Sequence, residues 1–487
     1  MPMHPADDLL QGASPSLLWR YFWDLSQIPR SSKHEEAAAR WCVAEAEKLG
    51  CTVERDPVGN VLIRKSATAG MDHVAPVALQ AHIDMVCEKN EDTVHDFLRD
   101  PLRLRRDGDR LMATGTTLGA DNGIGVATAL AVLADPEVRH GPLEVLLTID
   151  EETGLTGAHH LRSGWLRATR VINLDSEEEG AITIGCAGGV DTVVRRTCTW
   201  QAPPAGWVAR RIKVAGLKGG HSGIDIHQGR GNAIRVLATA LDEAWARVPL
   251  YLATIQAGNK RNAIAREASA VVWLQPGDEE ALTVAVTAAV AAWQVALGIL
   301  DPGLHVQFSE VATDRAMAAA DARATIDLLL SGPHGIEAMS PDIPGLVQTS
   351  TNLGLVALQG DTIEACFLTR SSIESSKRAL TQRILAVARL AGFDAHQEDG
   401  YPGWKPEPAA PLLEVLQQAH VALCGQRMTV TALHAGLECG LIAEKYPHVQ
   451  FASIGPDIRD AHTPEEWVSI PSVGRFWALL VETLQRA

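Results

Sequence analysis

The chain has 487 residues, with 43 Lys plus Arg against 59 Asp plus Glu, a formal charge of -16, and 46% hydrophobic residues. Such a length carries about two large or three ordinary domain-sized units, and such a composition excludes global disorder. The acidic balance argues against general nucleic-acid binding, which wants a basic face.

Taken in chain order, the stretch MPMHPADDLLQGASPS has no basic region followed by an apolar run, so no secretory leader is expected. Ser32 and Glu35 have capping-box spacing ahead of a helix that Gly50 would stop. Apolar runs at 77–81, 145–149, 171–174 and 450–454 read as buried strands, and an Ala-rich stretch over 123–133 reads as a helix between two of them. Strands alternating with helices predict a layered α/β sheet. From about 188 to 400 the pattern changes to strand-like runs (208–214, 269–274, 362–368) and long Ala-rich helices. The α/β pattern returns after Tyr401-Pro402-Gly403, so one α/β domain is interrupted by a large insertion. The insertion has a loose internal echo: Asn262 precedes the strand at 269–274, and Asn352 precedes the strand at 362–368 and Arg370. An internal repeat and two unrelated α+β segments are both open readings.

Residues 281–300 carry no charge and reach membrane-spanning length. Leu282, Val286, Val290, Trp293, Leu297 and Leu300 form one helical stripe, with mostly small residues elsewhere and no Lys or Arg at either end. The stripe predicts a helix packed in a soluble layer, with no membrane partner. The eight cysteines form no CxxC pair and no disulfide framework, which predicts free thiols, mostly buried, in a cytoplasmic protein.

The informative feature is where single acids and histidines end the strands. In the run ending Ala81-His82-Ile83-Asp84, residues i and i+2 share a side, so Asp84 can orient the His82 ring. A core histidine satisfied by a carboxylate is the plain alternative. Asp121-Asn122-Gly123 opens a helix, where Asp121 could simply be a cap. Asp150-Glu151-Glu152 ends another strand, and three consecutive carboxylates repel unless a cation compensates or solvent screens them. Asp175 ends a third run, and His462 follows Asp457 and Asp460 after a fourth. Each motif alone is weak. Together they place two histidines and several carboxylates at strand ends, where open α/β sheets build sites. A mixed His and carboxylate set suits zinc, cobalt or manganese better than calcium.

The segments AHIDMVCEKN, TTLGADNGIGVA, TIDEETGLTGA, NLDSEEEG, LKGGHSGIDIH, GNKRNAIAR, HAGLECG and IGPDIRDAHTPEE follow one another along nearly the whole chain. Through them the chain resembles the dinuclear zinc peptidases of the aminoacylase and carboxypeptidase type, in particular their carnosinase-like Xaa-His dipeptidase branch. The resemblance implies a catalytic domain with a central mixed sheet flanked by helices, formed by residues 1–187 and 401–487. A large α+β lid over 188–400 would interrupt it. The resemblance further implies that His82 and Asp175 bind one metal, that Glu152 and His462 bind the other, and that Asp121 bridges both across a cis peptide to Asn122. Asp84 would orient His82. Two divalent ions, zinc before cobalt or manganese, would activate a hydroxide, with Glu151 as general base. His221 would stabilise the oxyanion, and Asn262, Arg370 and Gly436 would surround the substrate's C-terminal carboxylate. His434 lies in a matching segment without an assigned role.

The expected activity is hydrolysis of dipeptides, preferentially Xaa-His and including β-Ala-His, by an exopeptidase that needs a free C-terminal carboxylate. An N-acyl amino acid deacylase or a tripeptidase with the same metal core is the alternative, and a non-catalytic metal scaffold a more distant one. A homodimer is compatible with the resemblance. A duplicated lid would let one chain complete its own site.

Overall fold

The computed structural model describes residues 4–487. The chain divides into two compact units, one formed by residues 1–185, 404–432 and 437–487, the other by 186–403 and 433–436. The short segment 433–436 is an excursion that no composition shift in the sequence marks.

The first unit is built on an eight-stranded sheet in the order Thr52–Arg55, Val61–Lys65, Leu143–Thr148, Val77–His82, Arg170–Asn173, Gln450–Ser453, Ala181–Cys186, Thr429–Leu433. Its middle is parallel: Val77–His82 runs with both Leu143–Thr148 and Arg170–Asn173, and Gln450–Ser453 continues the set. Val77–His82 and Leu143–Thr148 are buried along their whole length, as strands covered on both faces must be. The helix Ala120–Ala134 packs on Val77–His82 and on the helix Ser16–Ser26, while Pro411–Cys424 packs on Gln450–Ser453 and on Ile470–Arg486. All the strand runs expected from the sequence in this unit are present, shifted by a residue or two at their ends.

The capping box is not. The helix runs Glu36–Lys48 with Glu35 at its cap position and no side-chain cap bond. Ser32 Oγ donates instead to Asp84 Oδ2 at 2.8 Å, and Glu35 Oε1 accepts from the Asp150 amide at 2.7 Å. Tertiary partners outcompete the local cap. Gly50 does stop the helix, at φ 73°.

The second unit holds a nine-stranded sheet whose main path is His305–Glu310, Val208–Ala215, Ala268–Leu274, Leu250–Ala257, Val347–Gln359, Thr362–Ser371, Gly188–Thr197, Asp394–Gln397, with Gly335–Met339 paired to Val347–Gln359. Its pairings are antiparallel. Two four-strand halves meet through Ala257 opposite Val356. The two asparagines that hinted at a repeat are not equivalent in place. Asn262 is exposed on a turn, whereas Asn352 is buried within its strand and donates to the Arg261 and Ala263 carbonyls at 2.9 Å each.

The uncharged stretch forms the helix Glu279–Leu297, long and apolar enough to cross a membrane by length and composition. Leu282, Ala285, Val286, Ala289, Val290 and Leu297 are nevertheless buried in the core that covers one face of this sheet, with Trp293 packed against it. Leu300 departs from the expected stripe: it lies beyond the Gly298 cap and is 37% exposed. None of the eight cysteines forms a disulfide among the described residues; five are buried and Cys424 is exposed.

Candidate metal centre and a second polar cluster

Four strand ends of the first unit converge on one cluster. His82 is the last residue of its strand, with its ring buried. Its Nε2 lies 3.0 Å from Asp121 Oδ1 and 3.4 Å from Asp175 Oδ1. The other carboxylate oxygen of Asp121, Oδ2, lies 3.2 Å from His462 Nε2, which is also 3.1 Å from Glu152 Oε2. Asp121 thus stands between two His-carboxylate pairs, one oxygen toward each. One donor atom each from His82, Asp121 and Glu152 falls within a mutual distance of 4.8 Å.

The local chain explains how each group arrives. Regular helical geometry begins only at Gly123, because Asp121 (φ -77°, ψ 112°) and Asn122 (φ -105°, ψ 33°) are non-helical, and the Asp121–Asn122 peptide is cis. Asn122 Nδ2 ties this turn to the Leu174 carbonyl at 2.8 Å, next to Asp175. Gly125 is required here, since a Cβ would lie 2.2 Å from Asn122 Oδ1. His462 sits in the connection between the paired strands Ile458–Arg459 and Trp467–Ser469, in the left-handed region at φ 65°.

Asp84 does more than face the histidine. Its Oδ1 lies 3.3 Å from His82 Nδ1, in ion-pair range but without hydrogen-bond alignment. The same carboxylate accepts from the Glu151 and Glu152 amides at 3.0 and 3.2 Å, and so fixes the start of the turn that carries both. Of the acidic triplet, Asp150 turns away and accepts from the hydroxyls of Thr153 and Thr156. Only Glu151 and Glu152 remain for the cluster.

Burial and the cluster's own carboxylates set its electrostatics. Burial pulls the His82 imidazole down, but Asp175, Asp121 and Asp84 overcome it and raise it well above the ordinary value. Hydrogen bonds that its ring donates to the Asp121 and Glu152 carboxylates push His462 up to about 11. Burial, with Asp175 and Glu152 nearby, raises Glu151 well above the carboxylate range, and burial with Asp121 does the same to Asp175. Glu152 Oε1 is buried without a hydrogen-bond partner. A compact set of imidazole nitrogens and carboxylate oxygens with excess negative charge fits divalent cations of the zinc, cobalt and manganese type.

Three supporting residues escape a sequence reading. Glu466 accepts from the amides of Leu118, Gly119 and Ala120 at 2.7–2.9 Å, and from the Asp121 amide at 3.4 Å. Arg30, also buried, binds the Ile83, Asp84 and Gly119 carbonyls. Glu438 is buried against Gln80 and Thr148, at 2.7 and 2.6 Å, and burial pushes its carboxyl up to about 7. Glu466 and Glu438 do lie in recognised segments, yet nothing distinguishes Glu466 from its neighbour Glu465 until burial is known.

The second unit carries its own polar cluster. His221 ends a two-residue strand paired with Ala263–Ile264. Its Nδ1 accepts from the Gly223 and Ile224 amides at 3.2 and 3.0 Å, which leaves the proton on Nε2. Burial and the Arg370 charge lower this imidazole, so it is a neutral N–H donor. Arg370 is buried, with one guanidinium nitrogen donating to Tyr401 Oη at 2.9 Å and its Nε 3.5 Å from Ser222 Oγ. Gly436 packs against the Tyr401 ring, where a Cβ would lie 2.8 Å from Cε2. His434, buried and pushed down to about 3 by burial, Arg370 and His221, shares a 2.8 Å hydrogen bond with Ser350 Oγ. Asn262 is exposed, but its carbonyl accepts from the Ser222 amide at 2.8 Å. All four residues expected around the substrate therefore belong to this unit, and Tyr401 joins them.

Residues 78–486 match Peptidase family M20/M25/M40, and the chain belongs to that family; it is a hydrolase of the peptidase class. It is 43% identical over 477 residues to the cytosol non-specific dipeptidase of Escherichia coli K12, covering 98% of both chains. It also matches the crystal structure of aminoacylhistidine dipeptidase from Vibrio alginolyticus, at TM-score 0.91 and 42% identity over 98% of this chain and 97% of the other. The aminopeptidase PepT of Bacillus cereus shares the fold at TM-score 0.56 and 16% identity, over 97% of this chain and 99% of its own.

Proposed function

We propose that this chain is a cytosolic, metal-dependent dipeptidase that removes residues from short peptides with a free C-terminal carboxylate and cleaves Xaa-His dipeptides, including β-Ala-His, among its preferred substrates. The observation that carries the reading is Asp121, whose two oxygens face His82 and His462 separately, with Glu151 alongside. His82 and Asp175 would hold one divalent ion and Glu152 and His462 the other, with Asp121 common to both. Zinc is the proposed ion. Two such ions supply Lewis acidity and make water acidic enough to react at neutral pH.

The protein groups then divide the work. Glu151 accepts the proton of the attacking water and returns it to the leaving amine. Asp84 holds the His82 ring and the backbone of Glu151 and Glu152 in place. The His221 Nε2–H donates to the oxyanion, which needs a neutral donor with its proton on that nitrogen. Arg370 grips the carboxylate, with Asn262 and Gly436 completing its surroundings and residues 188–400 acting as a lid. The names of the two closely similar relatives support a dipeptidase, one described as non-specific and the other as aminoacylhistidine-directed.

The test is hydrolysis of a dipeptide panel by zinc-reconstituted protein, with β-Ala-His and a C-terminally amidated control. Xaa-His and several other dipeptides should be cleaved and the amide spared. Equal rates on the amide would remove the carboxylate requirement, and no cleavage of any dipeptide would remove the reading.

A further inference from the structure

The sheet of the second unit has one face covered by helices and one that is not. Ile212, Val214, Ile255, Ala270 and Val272 point into the helix-covered core. Their strand neighbours point the other way, because side chains alternate. Register places Lys213, Ser269 and Gln256 in one row across three strands of that opposite face. There they border a cavity of about 680 Å³. Arg211, Lys213, Lys218, Lys260 and Arg266 line it, with Glu267 as the one carboxylate among the lining residues. Lys213 is 2.9 Å from Glu267. The other four cations have no ion-pair partner among the described residues.

A cluster of five cations is unexpected in a chain of net charge -16. Cations left unpaired beside one another repel, and an anion at their centre relieves that repulsion. The volume lies in the range of small-molecule pockets and is too small for a folded partner. Ser269 and Gln256 on its floor add neutral hydrogen-bonding groups.

We propose that this cleft binds a small multivalent anion, carrying phosphate or carboxylate groups, and that the bound anion stiffens the loop carrying His221. The second part follows from two contacts. Gly220 and Ile264, both on the cleft wall, are register partners, and the next pair is His221 with Ala263. Arg266 lies directly over Gly219, where a Cβ would sit 2.3 Å from Arg266 Cγ. An anion that draws in the Arg266 guanidinium therefore loads the turn two residues before His221.

The experiment is isothermal titration of the metal-loaded full chain with fructose 1,6-bisphosphate and, separately, benzene-1,3,5-tricarboxylate. Both are multivalent and weak metal chelators. Saturable binding at one site per chain is expected, weakening as salt is raised from about 0.01 to 0.15 M because the contacts are solvent-facing charges. The double variant Arg211→Ala/Lys260→Ala, which removes two of the five cations, should bind at least about tenfold more weakly. Should that variant melt early, Lys260→Ala alone, on an exposed turn, must still weaken binding. Tight binding of only one probe identifies the anion class. Hydrogen exchange at residues 219–224 should slow when the probe is bound. No saturable binding of either probe, or equal affinity in the variants, overturns the site. Binding without slower exchange overturns the coupling to His221.

Discussion

The candidate metal cluster and the Arg370 cluster are both polar and largely buried, but they are held in different ways. In the first, carboxylates grip backbone: Asp84 takes two amides of the Glu151 turn, and Glu466 takes those leading to Asp121. In the second, two backbone amides hold His221, but the other side chains grip one another: Arg370 with Tyr401, and His434 with Ser350. Backbone anchoring fixes donor atoms to the precision that metal ligation and proton transfer need. Under the proposed function, side-chain anchoring would let the guanidinium exchange its Tyr401 partner for a substrate carboxylate. On that reading, the contrast matches chemistry centred on the first cluster and substrate recognition at Arg370, with His221 as the second cluster's contribution to the chemical step.

Three substitutions probe that division, from the largest effect to the smallest. Glu151→Ala should retain both metals, measured by elemental analysis, and lower kcat by about 10²- to 10⁴-fold, the range of a lost general base. Loss of metal in this variant would make Glu151 a ligand and collapse the division. Arg370→Lys keeps the charge and loses the fork, so KM should rise about 10- to 100-fold, one charged hydrogen bond's worth, with kcat nearly unchanged. An equal fall in kcat and kcat/KM would instead place Arg370 in the chemical step. Ser32→Ala removes one hydrogen bond to Asp84 and should cost about 1 kcal/mol in denaturant unfolding, with metal content unchanged.

The same contrast sets what the sequence discloses. The acids and histidines at strand ends are legible because strand periodicity and chain order bring them together, while the roles of His82, Asp121, Glu152, Asp175 and His462 as candidate ligands come from the resemblance of local segments. The Arg370 cluster depends on sheet register between distant segments, so Tyr401 reads as no more than a boundary marker. Ser32 and Glu35 are misread for the opposite reason: their spacing fits a local cap, but Asp84 and the Asp150 amide are better partners. The stripe of the uncharged helix packs into the sheet core, as its one-sidedness predicts, although Leu300 lies past its end. Asp150 shows that residue type at a strand end is insufficient, since two threonines satisfy it internally.

Glu466 has a consequence for the order in which the protein is made. The turn that presents Asp121 is held on one side by Arg30 and on the other by Glu466. During synthesis the first clasp is available early, but the second must wait until 345 further residues beyond Asp121 have been joined. Until then, the nascent chain has the Asp121 carboxylate without the clasp that aims it. Completion of the candidate centre is therefore a late event in biogenesis, since a chain that ends before residue 466 lacks the second clasp.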